Sequence, residues 1–288
     1  MNNYIILTDS ACDLSREKLN ELNIGCCPLT FTVQEEAKEY SNYDLEPKEF
    51  YDRMREGLVA KTSAINIDKF KEFFEPYLNE KKDILYLGFS SGLSTTFNCA
   101  KIAAEELSEK YPDQKILVLD TLCASAGQGL LVYLAYLEKE KGGNIEDVFN
   151  YIESIKLNLC HWFTVDDLVY LKRGGRVSST VALVGTVLGI KPILHVDNEG
   201  HLTSFSKVRG RKTAIMALAE KYNELHKENA PKEVFISHAD CLADAQSLAN
   251  ILKENHNITV NIIADIGPVI GAHSGPGTLA IFFIGNER

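Results

Sequence analysis

A hydroxyl-rich segment, Leu87–Phe97, contains the residue types best suited to binding an anion. The apolar run Ile84–Leu87 before it is typical of a buried strand, and the apolar residues of 97–107 recur at helical spacing. The N-terminus of a helix favours negative charge, because its first N–H groups are free and its dipole is positive there. Two interpretations remain open, an anion site or a serine that only caps the helix. The five hydroxyl residues are Ser90, Ser91, Ser94, Thr95 and Thr96.

The same segment contains a G-x-S-x-G pattern, Gly88–Gly92, which suits the nucleophile of an α/β-hydrolase. Its serine is Ser90, and Asp240 or Asp265 followed by His273 would complete the order Ser, Asp, His. No His-Gly oxyanion motif lies between the early strands, and few strands precede the serine. A serine hydrolase is therefore the alternative function rather than the preferred one.

His273 lies among glycines at positions 267, 271, 275 and 277, and this setting predicts a tight glycine loop. Such a loop could bring the imidazole close to a ligand, where it would donate a hydrogen bond. The other interpretation is a core histidine that bonds a nearby carbonyl. Both remain open from the residues alone.

Basic residues form local spots in an otherwise acidic chain. One such residue is usually solvated surface, but several together predict a docking face for an acidic partner. The residues concerned are Arg173, Arg176, Arg209, Arg211 and Lys212.

Composition excludes several functional classes. The net charge of −10 argues against a nucleic-acid partner and gives no general attraction to anionic membranes. There is no phosphate-binding G-x-x-x-x-G-K motif, and Gly127–Gly129 lacks the third glycine of a dinucleotide fingerprint. The seven cysteines are scattered without C-x-x-C, which predicts free thiols in a reducing cytoplasm and no metal set. No signal peptide and no apolar run of about 20 residues is present, so no transmembrane segment is expected.

Strand and helix patterns alternate through residues 1–158, which predicts an α/β domain with a mostly parallel sheet. Residues 159–288 predict a second, α+β domain with a mixed or antiparallel sheet, including a hairpin around Asp197–Gly200. Three loops that follow strands should line one edge of the first sheet, where ligands of parallel sheets bind. They are Thr8–Asp13, Phe89–Thr96 and Asp120–Ser125.

Four finer expectations concern the segments around these loops. Cys26–Val33 reads as one strand, Thr32–Tyr43 as irregular, and Lys61–Asn66 as a loop. Val181–Ile190 is apolar on all sides, which is typical of a buried helix.

Several stretches, in the same order along nearly the whole chain, resemble the DegV family. They are Thr8–Ser10, Lys61–Ser63, Phe89–Ser94, Asp120–Thr121 with Ala124–Gly129, Phe163–Ser178, Gly189–Leu194, Lys207–Lys212 and Ile266–His273. The resemblance implies a two-domain α/β protein that holds one long-chain fatty acid, such as palmitate, in a tunnel between the domains. It implies a lipid carrier, not an enzyme acting alone, without a cofactor.

The resemblance also implies a partner. It implies that the protein is the acyl-binding subunit of bacterial fatty acid kinase. A separate ATP-binding kinase subunit would phosphorylate the bound carboxyl group. The acyl phosphate then feeds phospholipid synthesis. Such a role implies a cytoplasmic protein with no nucleic-acid partner and only transient contact with the membrane.

The residues implied for the carboxylate match position by position. Thr62 and Ser94 would bind it, with His273 beside them and Ser63 and Ser91 as neighbours. These side chains are neutral hydroxyls and an imidazole, so several hydrogen bonds would replace a salt bridge.

The residues implied for the kinase subunit are Arg209, in the segment that the family uses for docking, with Arg211 and Arg173. Two departures from the family pattern, Ala64–Asn66 and Thr95, lie next to the carboxylate residues and bear on the loop shape.

Overall fold

Strands and helices alternate along most of the chain in the computed structural model, which describes residues 3–34, 36, 38–177 and 189–288. The strands in these residues are β1 (Tyr4–Asp9), β2 (Gly25–Cys27), β3 (Thr30–Val33), β4 (Glu39–Ser41), β5 (Ala60–Ser63), β6 (Asp83–Gly88), β7 (Ile116–Asp120), β8 (Leu159–Thr164), β9 (Ile190–Val196), β10 (Leu202–Arg209), β11 (Phe235–His238), β12 (Ile262–Asp265) and β13 (Leu279–Ile284). The helices are α1 (Arg16–Glu21), α2 (Pro47–Arg55), α3 (Ile67–Asn79), α4 (Thr96–Lys110), α5 (Ala126–Glu140), α6 (Ile145–Ile155), α7 (Val169–Gly174), α8 (Arg211–Leu225), α9 (Leu242–His256) and α10 (Pro268–Ser274).

The first sheet has four parallel strands in the order β2-β1-β6-β7. Its central strands are buried on both faces, since Ile6 packs with α5 and α6 while Ile5 packs with α3 and α4. Thr8 pairs with Leu87 in the neighbouring strand, and the carboxyl ends of β1, β6 and β7 therefore lie side by side. The prediction that the three loops after these strands share one edge is confirmed.

A small antiparallel sheet of order β4-β3-β5 corrects three expectations. The single strand predicted over Cys26–Val33 is wrong, because Pro28 has no N–H to continue a ladder and the chain leaves the first sheet there. The irregular segment Thr32–Tyr43 contains β4, and the loop predicted over Lys61–Asn66 begins as β5. Both segments become strands through pairing with β3, a tertiary effect that local polarity does not reveal.

The second large sheet has six strands in the order β10-β9-β8-β13-β11-β12. Its neighbours are antiparallel except for β11 and β12, so the predicted mixed sheet is confirmed. Alternate residues of β13 face opposite sides: Ile281 packs under α8 and α9, while Phe282 packs toward α5. The hairpin predicted around Asp197–Gly200 joins β9 to β10.

Helix α5 lies between the two large sheets. Its first seven residues, 126–132, are all buried, and it contacts β1 and β6 on one side and β8, β11 and β13 on the other. The strands of the first sheet end by Asp120 and those of the six-stranded sheet begin at Leu159. A domain boundary between residues 158 and 159 stays a prediction.

Helix α10 replaces the glycine loop expected around His273. Pro268 occupies the first turn, where its missing N–H costs nothing, and Gly275 ends the helix with a φ of +80°. The loop prediction is therefore wrong, and His273 lies in the last turn of a helix. The buried helix predicted over Val181–Ile190 lies outside the described residues except at its end, where Ile190 begins β9.

Candidate functional site

The loop after β6 is held in place by a buried carboxylate from β1. Asp9 accepts hydrogen bonds from the Tyr86 hydroxyl at 2.6 Å and from the Phe89 backbone N–H at 3.0 Å. Burial raises the pKa of Asp9, while these donors oppose the shift. The carboxylate therefore positions the start of the hydroxyl-rich loop.

The loop itself continues into α4 with its hydroxyls in distinct roles. The Ser91 backbone N–H donates to Asp120 Oδ1 at 3.3 Å, which ties this loop to the one after β7. Ser94 Oγ accepts from the Thr96 N–H at 3.2 Å and lies 2.9 Å from Thr96 Oγ1. Ser94 thus supports the helix start and is half-buried, and its role in binding an anion stays a prediction.

Ser90, the serine of the hydrolase alternative, is fully buried. Its hydroxyl donates to the Gly200 carbonyl at 2.9 Å and accepts from the Gly92 N–H at 3.2 Å. A nucleophilic serine needs a histidine as its hydrogen-bond partner, whereas the side chain of His273 bonds Thr62 instead. The geometry gives the hydrolase interpretation no support.

Thr62 on β5 and His273 on α10 form the polar centre of the site. Thr62 Oγ1 lies 2.8 Å from His273 Nε2, a direct hydrogen bond between segments 211 residues apart. Nδ1 of the same ring is buried without a partner among the described residues. The sequence-predicted pair is therefore brought together by the packing of the small sheet against α10.

The imidazole of His273 is neutral. Burial is the larger cause and the charge of Arg176 the smaller one, and together they lower the pKa of His273 to about 4. Helix α7 fits closely against the ring at Gly174, where an added Cβ would come within 2.2 Å of His273 Nδ1. The ring is thus fixed by a hydroxyl on one side and a glycine on the other.

A cavity of about 480 Å³ opens next to this centre and is lined by apolar and polar side chains from both halves of the chain. All five residues predicted to bind a carboxylate line it: Thr62, Ser63, Ser91, Ser94 and His273. The two departures from the family pattern also reach it, through Ala64 and Thr95. Its apolar lining includes Leu29, Phe89, Leu93, Ala124, Phe163, Leu171, Leu202, Ile266, Val269, Ile270 and Ala280. Its size lies within the range of small-molecule sites.

Besides Thr95, six polar lining residues were not predicted as carboxylate-binding residues: Ser125, His161, Arg176, Ser237, Ser274 and Thr278. Arg176 was noted only as part of a basic spot, although its Nε donates to the Leu93 carbonyl at 3.4 Å beside the hydroxyl-rich loop. Nothing in the sequence marks His161 as a site residue, because it lies in the apolar run of β8.

Ser125 belongs to a buried hydrogen-bond network at the far end of α10 from His273. Its hydroxyl donates to Asp13 Oδ2 at 2.5 Å and lies 2.9 Å from Ser237 Oγ, and the Gly267 N–H donates to Asp13 Oδ1 at 2.9 Å. Burial raises the pKa of Asp13 to about 8. The network joins both large sheets to the N-terminus of α10.

The three arginines predicted to dock a partner differ in their surroundings. Arg209 and Arg173 are exposed, and the Arg173 guanidinium lies 5.6 Å from the Tyr170 ring. Arg211 is half-buried and ion-paired, with its Nε 2.8 Å from Asp244 Oδ2. Two of the three are therefore free to meet another molecule.

The described part of the chain contains neither a candidate metal site nor a membrane-spanning helix. No cluster of three or more His, Cys, Asp or Glu that could hold a metal was found there. None of the helices in this part of the chain combines the length and the apolar character needed to cross a membrane.

Comparison with known proteins identifies relatives over the whole length. A DegV-domain protein of Clostridium perfringens is 43% identical over 289 residues, covering 100% of this chain and 99% of the relative. A protein of Thermotoga maritima named as a fatty acid-binding protein is 37% identical, with 95% of each chain covered. The crystal structure of a stearic acid-binding protein from Eubacterium ventriosum is 25% identical with a TM-score of 0.87, and 97% of each chain is covered.

The family model described as "uncharacterised protein, DegV family" matches residues 3–286. This match spans the hydroxyl-rich loop, both large sheets and α10, and the resemblance seen in the sequence motifs is confirmed. The chain belongs to the DegV family.

Proposed function

We propose that the protein binds one long-chain fatty acid in the cavity, with the carboxylate at the end formed by Thr62, Ser94 and His273. The observation that carries this proposal is the cavity lining, in which the Thr62–His273 pair and the hydroxyls of Ser94 and its neighbours occur together with many apolar side chains. The fatty acids named for the relatives from Thermotoga maritima and Eubacterium ventriosum support the same ligand class.

Among the described residues the cavity lining includes the cation Arg176 and no lysine, and the hydroxyls of the polar end also suit an anion. An unpartnered buried N–H is rare, so the proton of His273 belongs on Nε2, where it donates to Thr62 Oγ1. The Thr62 hydroxyl proton is then free to donate to a carboxylate. Ser94, Ser91 and Ser63 add further hydroxyl donors to a group with about four lone-pair directions.

The apolar wall would supply most of the affinity. A sixteen-carbon tail buried at about 0.8 kcal/mol per CH₂ contributes roughly 12 kcal/mol before association costs of roughly 4–15 kcal/mol. The hydroxyls would orient the head group and contribute the smaller share of the affinity. The departures at Ala64 and Thr95 change the shape of this end without removing a predicted donor.

Denaturing mass spectrometry of the purified protein tests the ligand. We expect one co-purified fatty acid per chain, and we expect delipidated protein to take up added stearic acid. Protein that is empty after purification and that ignores added stearic acid would contradict the proposal. A fluorophosphonate probe tests the hydrolase alternative in the same preparation, and we expect no covalent label on Ser90.

We further propose that the bound acid is presented to a separate ATP-binding kinase subunit in the cytoplasm. A carboxylate oxygen would attack the γ-phosphorus of ATP while its bond to ADP breaks, which gives an acyl phosphate for phospholipid synthesis. The exposed Arg209 and Arg173 support a docking face, and the seven free cysteines suit a reducing compartment. The carrier would add no catalytic residue or cofactor and would meet the membrane only transiently.

Reversal of one docking charge separates this role from ligand binding. In Arg209→Glu we expect unchanged uptake of stearic acid and at least a ten-fold loss of acyl-phosphate formation with the kinase subunit, because the like charge repels an acidic partner. Lys253→Glu, at an exposed position of α9 outside the predicted docking face, measures the general effect of added negative charge. Unchanged acyl-phosphate formation would remove Arg209 from the docking face.

A further inference from the structure

Thr96, the first residue of α4, contacts the cavity residue Ser94 through two polar atoms. Its Oγ1 lies 2.9 Å from Ser94 Oγ, and its backbone N–H donates to the same oxygen at 3.2 Å. Thr96 is fully buried and is not one of the residues that line the cavity. Its hydroxyl therefore acts on a ligand only through Ser94.

Burial fixes the direction of the hydrogen bond between the two hydroxyls. A buried O–H group without an acceptor costs stability, so the Thr96 proton needs an oxygen to bond. A threonine inside a helix often donates to the carbonyl four residues earlier, but Gly92 lies before α4 begins. Within the described residues, the hydrogen-bond partner of Thr96 Oγ1 is Ser94 Oγ. Thr96 is therefore the donor and Ser94 the acceptor.

The two bonds from Thr96 use the whole acceptor capacity of the Ser94 hydroxyl. A serine hydroxyl has two lone pairs and one proton. The N–H and the O–H of Thr96 take one lone pair each, so that the proton is what Ser94 has left to offer. Ser94 is half-buried and lines the cavity, and its proton is therefore available to a ligand there.

The hydroxyl of Thr62 is directed by a similar device. Nε2 of the neutral His273 ring donates to Thr62 Oγ1 at 2.8 Å, which leaves the Thr62 proton for the cavity. A head group that lies between Thr62 and Ser94 therefore meets two hydroxyl protons. A carboxylate accepts hydrogen bonds and donates none, whereas the NH₂ of an amide needs an acceptor.

We infer that Thr96 is a positioning residue that makes Ser94 a hydrogen-bond donor only, so that this part of the cavity selects a head group that accepts hydrogen bonds and donates none. The inference rests on the proposed function, since it needs the head group at Ser94. The selected ligand class is the ionised acid, and the neutral amide of the same chain length is disfavoured. Thr96 thus determines specificity without touching the ligand.

Binding of two matched ligands to delipidated protein tests the inference. The probes are stearic acid and stearamide at pH 7, where a carboxylic acid is ionised. We expect the wild type to bind stearic acid about ten-fold more tightly than stearamide. Thr96→Val replaces the hydroxyl by a methyl group and frees one lone pair of Ser94. In this variant we expect about five-fold weaker binding of stearic acid and no loss for stearamide.

Two further variants separate positioning from packing. Thr96→Ser restores the hydroxyl, and we expect it to keep the preference of the wild type. Thr164→Val is the matched control, because Thr164 is also fully buried but does not line the cavity, and we expect no change in preference. Equal weakening of both ligands in Thr96→Val, or a preference equal to that of the wild type, would overturn the inference.

The wild type and a second variant keep the test decisive. Failure of the wild type to bind stearic acid would contradict the proposed function, whereas equal binding of stearic acid and stearamide would contradict only the inference. If Thr96→Val does not fold, Ser94→Ala takes its place. We expect its preference for stearic acid to fall by about five-fold, because the directed donor is lost. An unchanged preference in Ser94→Ala would overturn the inference.

Discussion

Two histidines line the same cavity with the same protonation state but with different neighbouring side chains. Both rings are neutral because burial lowers their pKa, and both have an Nδ1 without a hydrogen-bond partner in the part of the chain that the structure describes. Each ring also lies against a glycine of a neighbouring helix, Gly174 for His273 and Gly127 for His161. His273, however, bonds Thr62 and lies near further hydroxyls, whereas His161 packs against phenyl rings.

The contrast shows that the role of a buried imidazole is set by its neighbours and not by its protonation state. Beside a hydroxyl, the neutral ring directs the proton of that hydroxyl and so prepares a donor for an anion. Among apolar rings, the same neutral ring has hydrogen-bonding capacity that only a ligand or water can use. The two histidines therefore differ in what surrounds the ring, which is a hydroxyl at His273 and apolar rings at His161.

The prediction with the largest expected effect on this comparison concerns the pH dependence of stability. In delipidated protein, an unfolded histidine binds a proton below about pH 6.5, while folded His273 does so only near pH 4. The contribution of neutral His273 to the free energy of unfolding is thus fully present above pH 6.5. It falls by about 1.4 kcal/mol per pH unit from pH 6.5 to 4, about 3 kcal/mol in all. Urea unfolding of wild type and His273→Phe at pH 7 and pH 4.5 should show this loss only where the histidine is present.

The contributions of other titrating groups are the same in wild type and His273→Phe, so they cancel when the two proteins are compared. The raised pKa of Asp13 has the opposite sign, since stability is lost as pH rises toward about 8, but it is common to both proteins. His161→Phe should also remove a loss of stability in acid, because burial lowers the pKa of His161. A pH dependence that is unchanged in both variants would mean that neither ring is held neutral by the fold.

The two histidines also differ in how far the sequence could reveal them. His273 was a candidate because of the glycines around it and the family motif, although the expected loop is a helix begun by Pro268. His161 could not be recognised, because an isolated histidine in the apolar run of β8 is usually a core residue. Its position in the cavity depends on the pairing of β8 with β13, across 120 residues of chain.

The fold shows the same division between local and long-range signals. Parallel strands with apolar runs, such as β1 and β6, and the hairpin around Asp197–Gly200 were predictable from local pattern. The small sheet was not, because β4 and β5 are short, polar strands that are held only by pairing with β3. Thr62 reaches His273 through this sheet, so the site geometry depended on the least predictable element.

The prediction with the second largest effect tests the role of the hydroxyl residues Thr62 and Ser94. In the double variant Thr62→Ala and Ser94→Ala we expect about a hundred-fold weaker binding of stearic acid, because two hydrogen bonds to a charged carboxylate are lost. Titration of delipidated protein measures it. Thr32→Ala on the neighbouring strand β3 is the matched control, since Thr32 does not line the cavity. An affinity equal to that of the control variant would move the carboxylate to another part of the cavity.

The smallest effect tests whether the glycine beside His273 is needed for its bond to Thr62. In Gly174→Ala the new Cβ would lie 2.2 Å from Nδ1, so the ring must shift away from its present position. We expect about five-fold weaker binding of stearic acid, with the free energy of unfolding within about 1 kcal/mol of the wild type. In a His273→Ala background the same substitution should change the affinity no further, because the group that it displaces is absent. An equal loss in both backgrounds would show that Gly174 acts on the cavity through α7 and not through the imidazole. The likeness between the two glycine–histidine pairs would then be one of packing geometry without a shared role in binding.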